Sequence, residues 1–395
     1  MTPDAASPRA SRLLFARLRA ATFATRVRLA ARTAFARKHA PPPALGPLRV
    51  LLLASQPASH AGTRHRLELW AQRLRRSGHH AEVSLPVEGD EGERLYLAAD
   101  AASRARQHLR TLASRRRAVA AATGFDVAVV HLTDLPYWEY GEPFVAQALV
   151  RSAGRVLLDL DDLPVVRGEA APGPRARRLA QVADGLLLGN PELRAWFPDR
   201  PSWEVPTCVE PAEWPVPDRE SRTGPPVLGW IGTSGGLPAL EALAPVLAAA
   251  CAKHGARVRV VCDVEPKLPG VPADFVPWRG GREAEDLAAI DAGLAPLDDG
   301  PVARCKCGLK ALQYLATGVP LVASPVGALT RIVEPSLNGF LASDAAGWAR
   351  ALERLLSDSP LRRRMGRAGR DTLEKQWSYA AHEPAFEAAL RGGHT

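Results

Sequence analysis

Two lysines and a glycine crowd the start of one apolar helix in the stretch CKCGLKALQYLATGVPLVASPVG, Cys305 to Gly327. A helix that begins after Cys307-Gly308 leaves unpaired N–H groups and the positive end of its dipole facing outward, which makes an anion site. Lys306 and Lys310 add point charges there, and Gly308 lets an anion approach the backbone. Gln313 lies about one turn further along, where its amide can bond a hydroxyl. A phosphate with an attached sugar satisfies all of these. A buried helix with two surface lysines fits the same spacing and stays open as the plainer reading.

Three further places carry chemistry-bearing residues. In ASHAGTRHRLELW (58–70), Gly62 allows a close turn, and Arg64 and Arg66 open a helix with side chains suited to bidentate phosphate contact. His131 ends an apolar run, followed by LTD. The run LDLDD (158–162) sets Asp159, Asp161 and Asp162 at another strand end, where carboxylates can contact acceptor hydroxyls, act as a base or hold a metal. A solvated arginine, a satisfied polar cap and a cleft wall are the bland counterparts.

The elements that would position these residues alternate between strand and helix. LRVLLLA (48–54), AEVSL, DVAVVHL (126–132), RVLLDLDD (155–162) and GLLLGN (185–190) read as strands. Helical patterns separate them at about 66–77 and 93–121. The second half repeats the grammar: PVLGWIG, a helix over about 238–254, RVRVVCD, DFVPW, AGLAPL, the opening motif, PLVAS and GFLAS, then two helical stretches. Such alternation implies right-handed crossovers and parallel sheets. The fold class expected is α/β, with two doubly wound Rossmann-like domains facing a central cleft. The boundaries are a basic arm at 1–47, a first domain at 48–212, a Pro- and charge-rich linker at 213–226, a second domain at 227–375, and a C-terminal helix at 376–395 that packs back on the first domain. Ligands bind outside the carboxyl ends of strands in such sheets.

Composition narrows the function. The net charge of +9 suggests nucleic acid until it is located. Residues 1–47 hold nine Arg/Lys and one acid, so they carry +8; the remaining 42 basic and 41 acidic residues leave +1. A nucleic-acid-binding body is therefore not expected. Five scattered cysteines fit neither a zinc site nor a disulfide framework and point to a reducing cytoplasm. The arm reads as helix until PPP at 41–43. Leu14, Leu18 and Leu29 share one side of it, while Phe23, Val27 and Phe35 fall elsewhere. A solvated tail, a cleaved targeting peptide, or peripheral contact of residues 11–40 with an anionic membrane on its inner face are the readings it allows.

The stretch 305–327, with AGLAPLDDG before it and RIVEPSLNGFLAS after it, resembles the donor-binding segment of family-4 glycosyltransferases of the GT-B fold. The resemblance runs over about 48–378 and is most specific between 291 and 343. It implies retaining transfer of a sugar from a nucleotide-sugar to a glycan or lipid-linked acceptor, with bacterial envelope polysaccharide assembly the usual setting. It implies no metal and no cofactor, since the nucleotide-sugar is a substrate. The family's Glu-x7-Glu pair falls on Cys305 and Gln313, so neither position is acidic here. Gln313 then takes the ribose role, Lys306 acts catalytically on the diphosphate, and Lys310 binds it. PVLGWIGTSGG (226–236) resembles the first strand and turn of the family's donor domain, with Thr233, Ser234 and Gly235 offering N–H groups to phosphate. DFVPWRG resembles the loop flanking the nucleobase, with Trp278 near the ring. On the acceptor side the resemblance sets His131 beside the reacting sugar, and Gly62, Arg64, Asp161 and Asp162 around the acceptor.

Three rivals remain. GWIGTSGG partly matches G-x-G-x-x-G, with Asp263 ending the next strand, but Ile231 stands in a glycine's place. That pattern would mean an NAD(P)-dependent enzyme. A nucleotide-sugar epimerase shares the fold, and a non-catalytic glycan-binding scaffold would account for the missing acidic pair.

Overall fold

The computed structural model describes residues 8–34, 41–98, 100–135, 142–165, 170–219 and 224–393, with side chains from residue 14 onward. The chain forms two compact units. The first runs to Val205 and takes up the chain again from Pro384, and the second is Pro206–Glu383.

In the first unit, β1 (Arg49–Leu53), β2 (His80–Ser84), β3 (Val127–His131), β4 (Arg155–Leu160), β5 (Gly185–Leu188) and β6 (Ser202–Glu204) form one sheet. Its order is β2-β1-β3-β4-β5-β6, and every pairing is parallel. Runs such as VAVVH are buried at every position because helices cover both faces. The second unit contains β7 (Val227–Ile231), β8 (Arg257–Cys262), β9 (Ala273–Pro277), β10 (Ala292–Ala295), β11 (Leu321–Ala323) and β12 (Gly339–Leu341). The order here is β12-β11-β10-β7-β8-β9, again all parallel. Both units are thus doubly wound and Rossmann-like. Strand order reverses between β1 and β3 in one and between β7 and β10 in the other, and these are the places where such sheets bind ligands.

Local departures from the sequence reading have local causes. β6 escaped notice because SWE is short and enclosed by Pro201 and Pro206. The helix expected over 93–121 is two, Gly89–Leu97 and Ala101–Ala121, because Asp100 caps the second by accepting from the Ser103 N–H. The helix over 238–254 likewise breaks into Leu237–Glu241 and Ala244–His254, bent by 67°. No single described helix is long and apolar enough to cross a membrane.

The basic arm is not a solvated tail over its described length. Residues Pro8–Thr33 form one helix that packs against the helices Ala101–Ala121 and Phe144–Val150. Thr22, Thr25, Leu29 and Thr33 are buried along its inner side. The Thr22 hydroxyl lies 2.9 Å from His108 Nε2. Phe35 and residues 36–40 lie outside the described residues. At the other end, the helix Tyr379–Arg391 brings Phe386 onto Trp70 with ring centroids 4.2 Å apart. Arg391 donates to the carbonyls of Pro43 and Gly46. The Pro-rich stretch 213–226 belongs to the second unit where it is described. Arg219 from it donates to the carbonyls of Ile290 and Thr317, and Arg370 donates to those of Pro211 and Trp214.

Candidate functional site

Tyr314 sets the position of the lysine-bearing helix in the second unit. Its ring crosses beneath the sheet in space that the missing side chain of Gly293 leaves open; a Cβ there would lie 2.6 Å from the ring. The hydroxyl accepts from the Ile231 N–H at 3.1 Å and faces the carbonyls of Gly229 and Leu294 at 3.1 and 3.2 Å. Burial pushes this phenol well above its ordinary range. The helix Leu309–Ala316 is thereby pinned to both strands of the switch point, β7 and β10.

One turn before Tyr314, the same face carries Lys310 to the end of β7. Its ammonium stands 4.3 Å from the centre of the buried Trp230 ring. It occupies the space where Gly232 and Gly236 lack side chains; a Cβ on Gly236 would come within 3.2 Å of Nζ. Burial, reinforced by the nearby positive charge of Lys306, pushes Lys310 down to about 8. No carboxylate pairs with it among the described residues. The two glycine motifs that the sequence presents separately therefore close around one under-compensated cation. Gly308 adopts φ +71° at the start of this helix, a conformation that favours glycine, and no side chain caps the helix end. An added Cβ at Gly308 would also strike Ile332.

The turn after β7 is braced from β8. Asp263 accepts from the Ser234 N–H at 2.6 Å and from its hydroxyl at 3.0 Å. Burial opposes its ionisation, but hydrogen bonds from Cys262 and Ser234 hold the carboxyl below its usual range. Ser234 is therefore not a free N–H donor for phosphate, and Asp263 is committed to the turn rather than to a ribose. Thr233 and Gly235 are exposed on the same turn. Gln313 is buried beside Tyr314, and Lys306 is exposed. Trp278 follows β9, half-buried, with its backbone N–H on the Cys262 carbonyl.

In the first unit a second cluster forms where β1, β3 and β4 end. His131 is fully buried, and its Nε2 lies 3.0 Å from Asp161 Oδ1. Burial alone would raise Asp161, but the charge and hydrogen bond of His131, with Arg66 and His60 nearby, hold it far below the usual carboxylate range. His131 Nδ1 and Gln56 Oε1 are buried without hydrogen-bond partners among the described residues. Leu132 adopts φ +58°, a strained conformation for a branched residue, as the chain leaves β3. The space beside Gly62 is filled by this cluster, with His131 Cε1 2.9 Å from where a Cβ would stand. His60 Nδ1 accepts from the Gly62 N–H at 3.1 Å, and burial lowers its pKa further than Asp161 raises it.

Arg66 is structural rather than phosphate-facing. It is buried, clamps Asp159 through Nε and Nη2, and donates through Nη1 to the Val205 carbonyl at 2.7 Å. Arg64 is half-buried at the start of a short, wide π-helical segment, Arg64–Glu68. Asp162 turns back to accept from the Leu163 N–H. Sequence reasoning missed His60, Gln56 and Arg115. The last is fully buried, and its guanidinium reaches the carbonyls of Ala54, Ser84 and Asp134, joining the ends of β1, β2 and β3. Only the histidine two residues before Gly62 left a sequence signal.

Residues 226–358 match the family model described as Glycosyl transferases group 1. The D-inositol 3-phosphate glycosyltransferase of Corynebacterium aurimucosum is 43% identical over 82 residues, 20% of this chain and 19% of its own. The glycogen synthase of Mycobacterium tuberculosis is 29% identical over 205 residues, 47% and 48% of the two chains. This chain thus spans about half, or less, of the curated relatives it matches. Among solved structures, sucrose-phosphate synthase from Thermosynechococcus elongatus superposes with a TM-score of 0.62 at 17% identity, covering 87% of this chain and 98% of that one. The catalytic domain of starch synthase IV from Arabidopsis thaliana, bound to ADP and acarbose, gives 0.65 at 12% identity, covering 88% and 99%. Anabaena HepE in complex with UDP-glucose gives 0.62 at 12% identity, covering 87% and 99%. At these identities the likeness establishes the GT-B fold.

Proposed function

We propose that this chain, a GT-B protein whose residues 226–358 belong to the group 1 glycosyltransferases, moves a hexosyl group from a nucleotide-sugar to a glycan or lipid-linked acceptor with retention of configuration. The observation that carries the reading is Lys310: a half-buried ammonium with no carboxylate partner among the described residues, enclosed by a glycine turn at a switch point. A diphosphate supplies the missing negative charge. As the glycosidic bond stretches, that charge grows, and cations already fixed beside it stabilise the transition state more than the ground state. Lys306, Thr233, Gly235 and the N–H groups after Gly308 complete the diphosphate site. Gln313 bonds the ribose, and Trp278 flanks the base. His131 faces the reacting sugar through Nδ1, Asp161 orients it, and Gly62, Arg64 and Asp162 border the acceptor. The leaving diphosphate assists deprotonation of the acceptor, so the reading assigns no role to a metal or cofactor.

The setting proposed is envelope polysaccharide assembly on the cytoplasmic side, with peripheral membrane contact through residues 11–40. The nucleotide-sugar donor is supported by the solved structures named above, since that of HepE holds UDP-glucose and that of starch synthase IV holds ADP with acarbose. The test is a panel of UDP-, GDP- and ADP-sugars screened for thermal stabilisation. A donor at 100 times its dissociation constant adds roughly 2.7 kcal/mol to stability. The anomeric configuration of the product then decides retention. No stabilisation by any sugar nucleotide, with NADH or NADPH binding instead, would overturn the reading.

A further inference from the structure

The N-terminal helix Pro8–Thr33 has two apolar faces, and the first unit covers one of them. Its inner side is buried as described above, with the hydroxyls of Thr22 and Thr33 returned to the carbonyls of Leu18 and Leu29 at 2.7 and 2.9 Å. On the opposite side, positions 16, 20, 23, 27, 30 and 34 recur at alternating intervals of four and three, which is a single stripe on a helix. They read Ala16, Ala20, Phe23, Val27, Ala30 and Ala34, and all are exposed. Phe23 is 66% accessible, and Phe15, beside Arg19, is 65% accessible.

Arginines border this stripe along both edges, Arg19 and Arg26 on one and Arg17 and Arg28 on the other. All four are exposed, and none forms an ion pair among the described residues. The described helix contains no acidic residue. We propose that this outer face lies in the plane of an anionic lipid surface, with Phe23 and Val27 entering the acyl boundary and the four arginines reaching headgroup phosphates. Arginine stems cover apolar surface while their heads stay at the polar level, so flanking arginines suit this orientation. A second copy of the chain suits it poorly, because a two-fold contact through this face would set arginine against arginine with no carboxylate between them. The inner face stays on the helices Ala101–Ala121 and Phe144–Val150, so docking needs no unfolding of the helix. The inference deepens the membrane contact proposed above and does not depend on sugar transfer.

The experiment is co-sedimentation of the full chain with vesicles of mixed phosphatidylglycerol and phosphatidylcholine, and with phosphatidylcholine alone. The parent should sediment with the mixed vesicles at low salt, be released by high salt, and ignore the neutral ones. Phe23→Glu with Val27→Glu leaves the buried face untouched; it should keep the parental melting temperature and lose at least about tenfold in partitioning. Changing Arg17, Arg19, Arg26 and Arg28 to Gln should weaken binding about fivefold per residue, the equivalent of ~1 kcal/mol each. Parental sedimentation by the Phe23→Glu, Val27→Glu variant would overturn the proposal. So would a parental dimer in light scattering that this variant converts to monomer, since a second copy would then cover the stripe. Stabilisation by nucleotide-sugar, measured on the same samples, should be unchanged in both variants. A protein that binds vesicles but no sugar nucleotide would sink the transferase reading and leave this one standing.

Discussion

Replacing Lys310 with Met should separate folding from ligand binding, because the ammonium costs the empty protein what it returns to the complex. Lys310 falls from an ordinary value near 10.4 to about 8 as burial and Lys306 disfavour its charge. The folded value lies below the unfolded one, so the unfolded chain binds more protons between about pH 8 and 10. Stability therefore rises with pH across that window, and the penalty is fully present below it. The full shift corresponds to roughly 3 kcal/mol; solvent screening of a partly exposed group reduces this to about half. Loss of the Trp230 contact, about 0.5–1 kcal/mol, offsets part of the gain in the Met variant. Lys310→Met should thus melt at or slightly above the parent at pH 7 and lose the stabilisation between pH 8 and 10. Affinity should move the other way. A charge-assisted phosphate contact is worth about 1.5–3 kcal/mol, so nucleoside diphosphate should bind about ten- to a hundredfold more weakly. At pH 8 the parent should take up about half a proton on binding, because a bound diphosphate restores full charge. Calorimetry with UDP and GDP, in buffers of unlike ionisation enthalpy, reads both quantities. A destabilised variant that binds both nucleotides like the parent would refute the reasoning and leave Lys310 a packing residue on Trp230.

Tyr314→Phe should cost about 1–3 kcal/mol in urea unfolding, because the buried Ile231 N–H loses its acceptor; a loss below about 0.5 would mean the hydroxyl does not pin the helix. Asp161 has a depressed folded pKa, so its contribution is complete above about pH 4 and drains away as pH falls toward the folded value. The stability difference between the parent and Asp161→Asn should therefore be constant at neutral pH and shrink in acid, and a difference flat to about pH 3 would contradict the His131–Asp161 pairing. Deleting residues 1–34 uncovers the face that Leu29 and its neighbouring threonines bury, so the melting temperature should fall, by the equivalent of at least about 2 kcal/mol. A truncated protein as stable as the parent would show that this helix adds nothing to the first unit.

The sequence alone determined the alternation of elements, because a strand buried on both faces is a near-continuous apolar run, and the VAVV of β3 or the VLLL of β1 announces that locally. It also marked the two glycine turns and the cations near them, since unusual φ values and charged helix starts are properties of a few consecutive residues. Which of these residues meet was decided only by tertiary structure. Lys310 and Gly232 are far apart in sequence, and the strand order β11-β10-β7-β8 is what brings the helix after β10 against the turn after β7. Tyr314 reads as one more apolar helix residue until Gly293 is seen to vacate the space its ring crosses. Arg66 and Arg115 look like solvated arginines of basic helices, yet both are buried because carbonyls and a carboxylate from distant strand ends converge on them. The N-terminal helix shows the same limit from the other side. Its wheel looks poorly amphipathic because two apolar faces oppose each other, and no single-helix pattern can say which of them a neighbouring helix will cover.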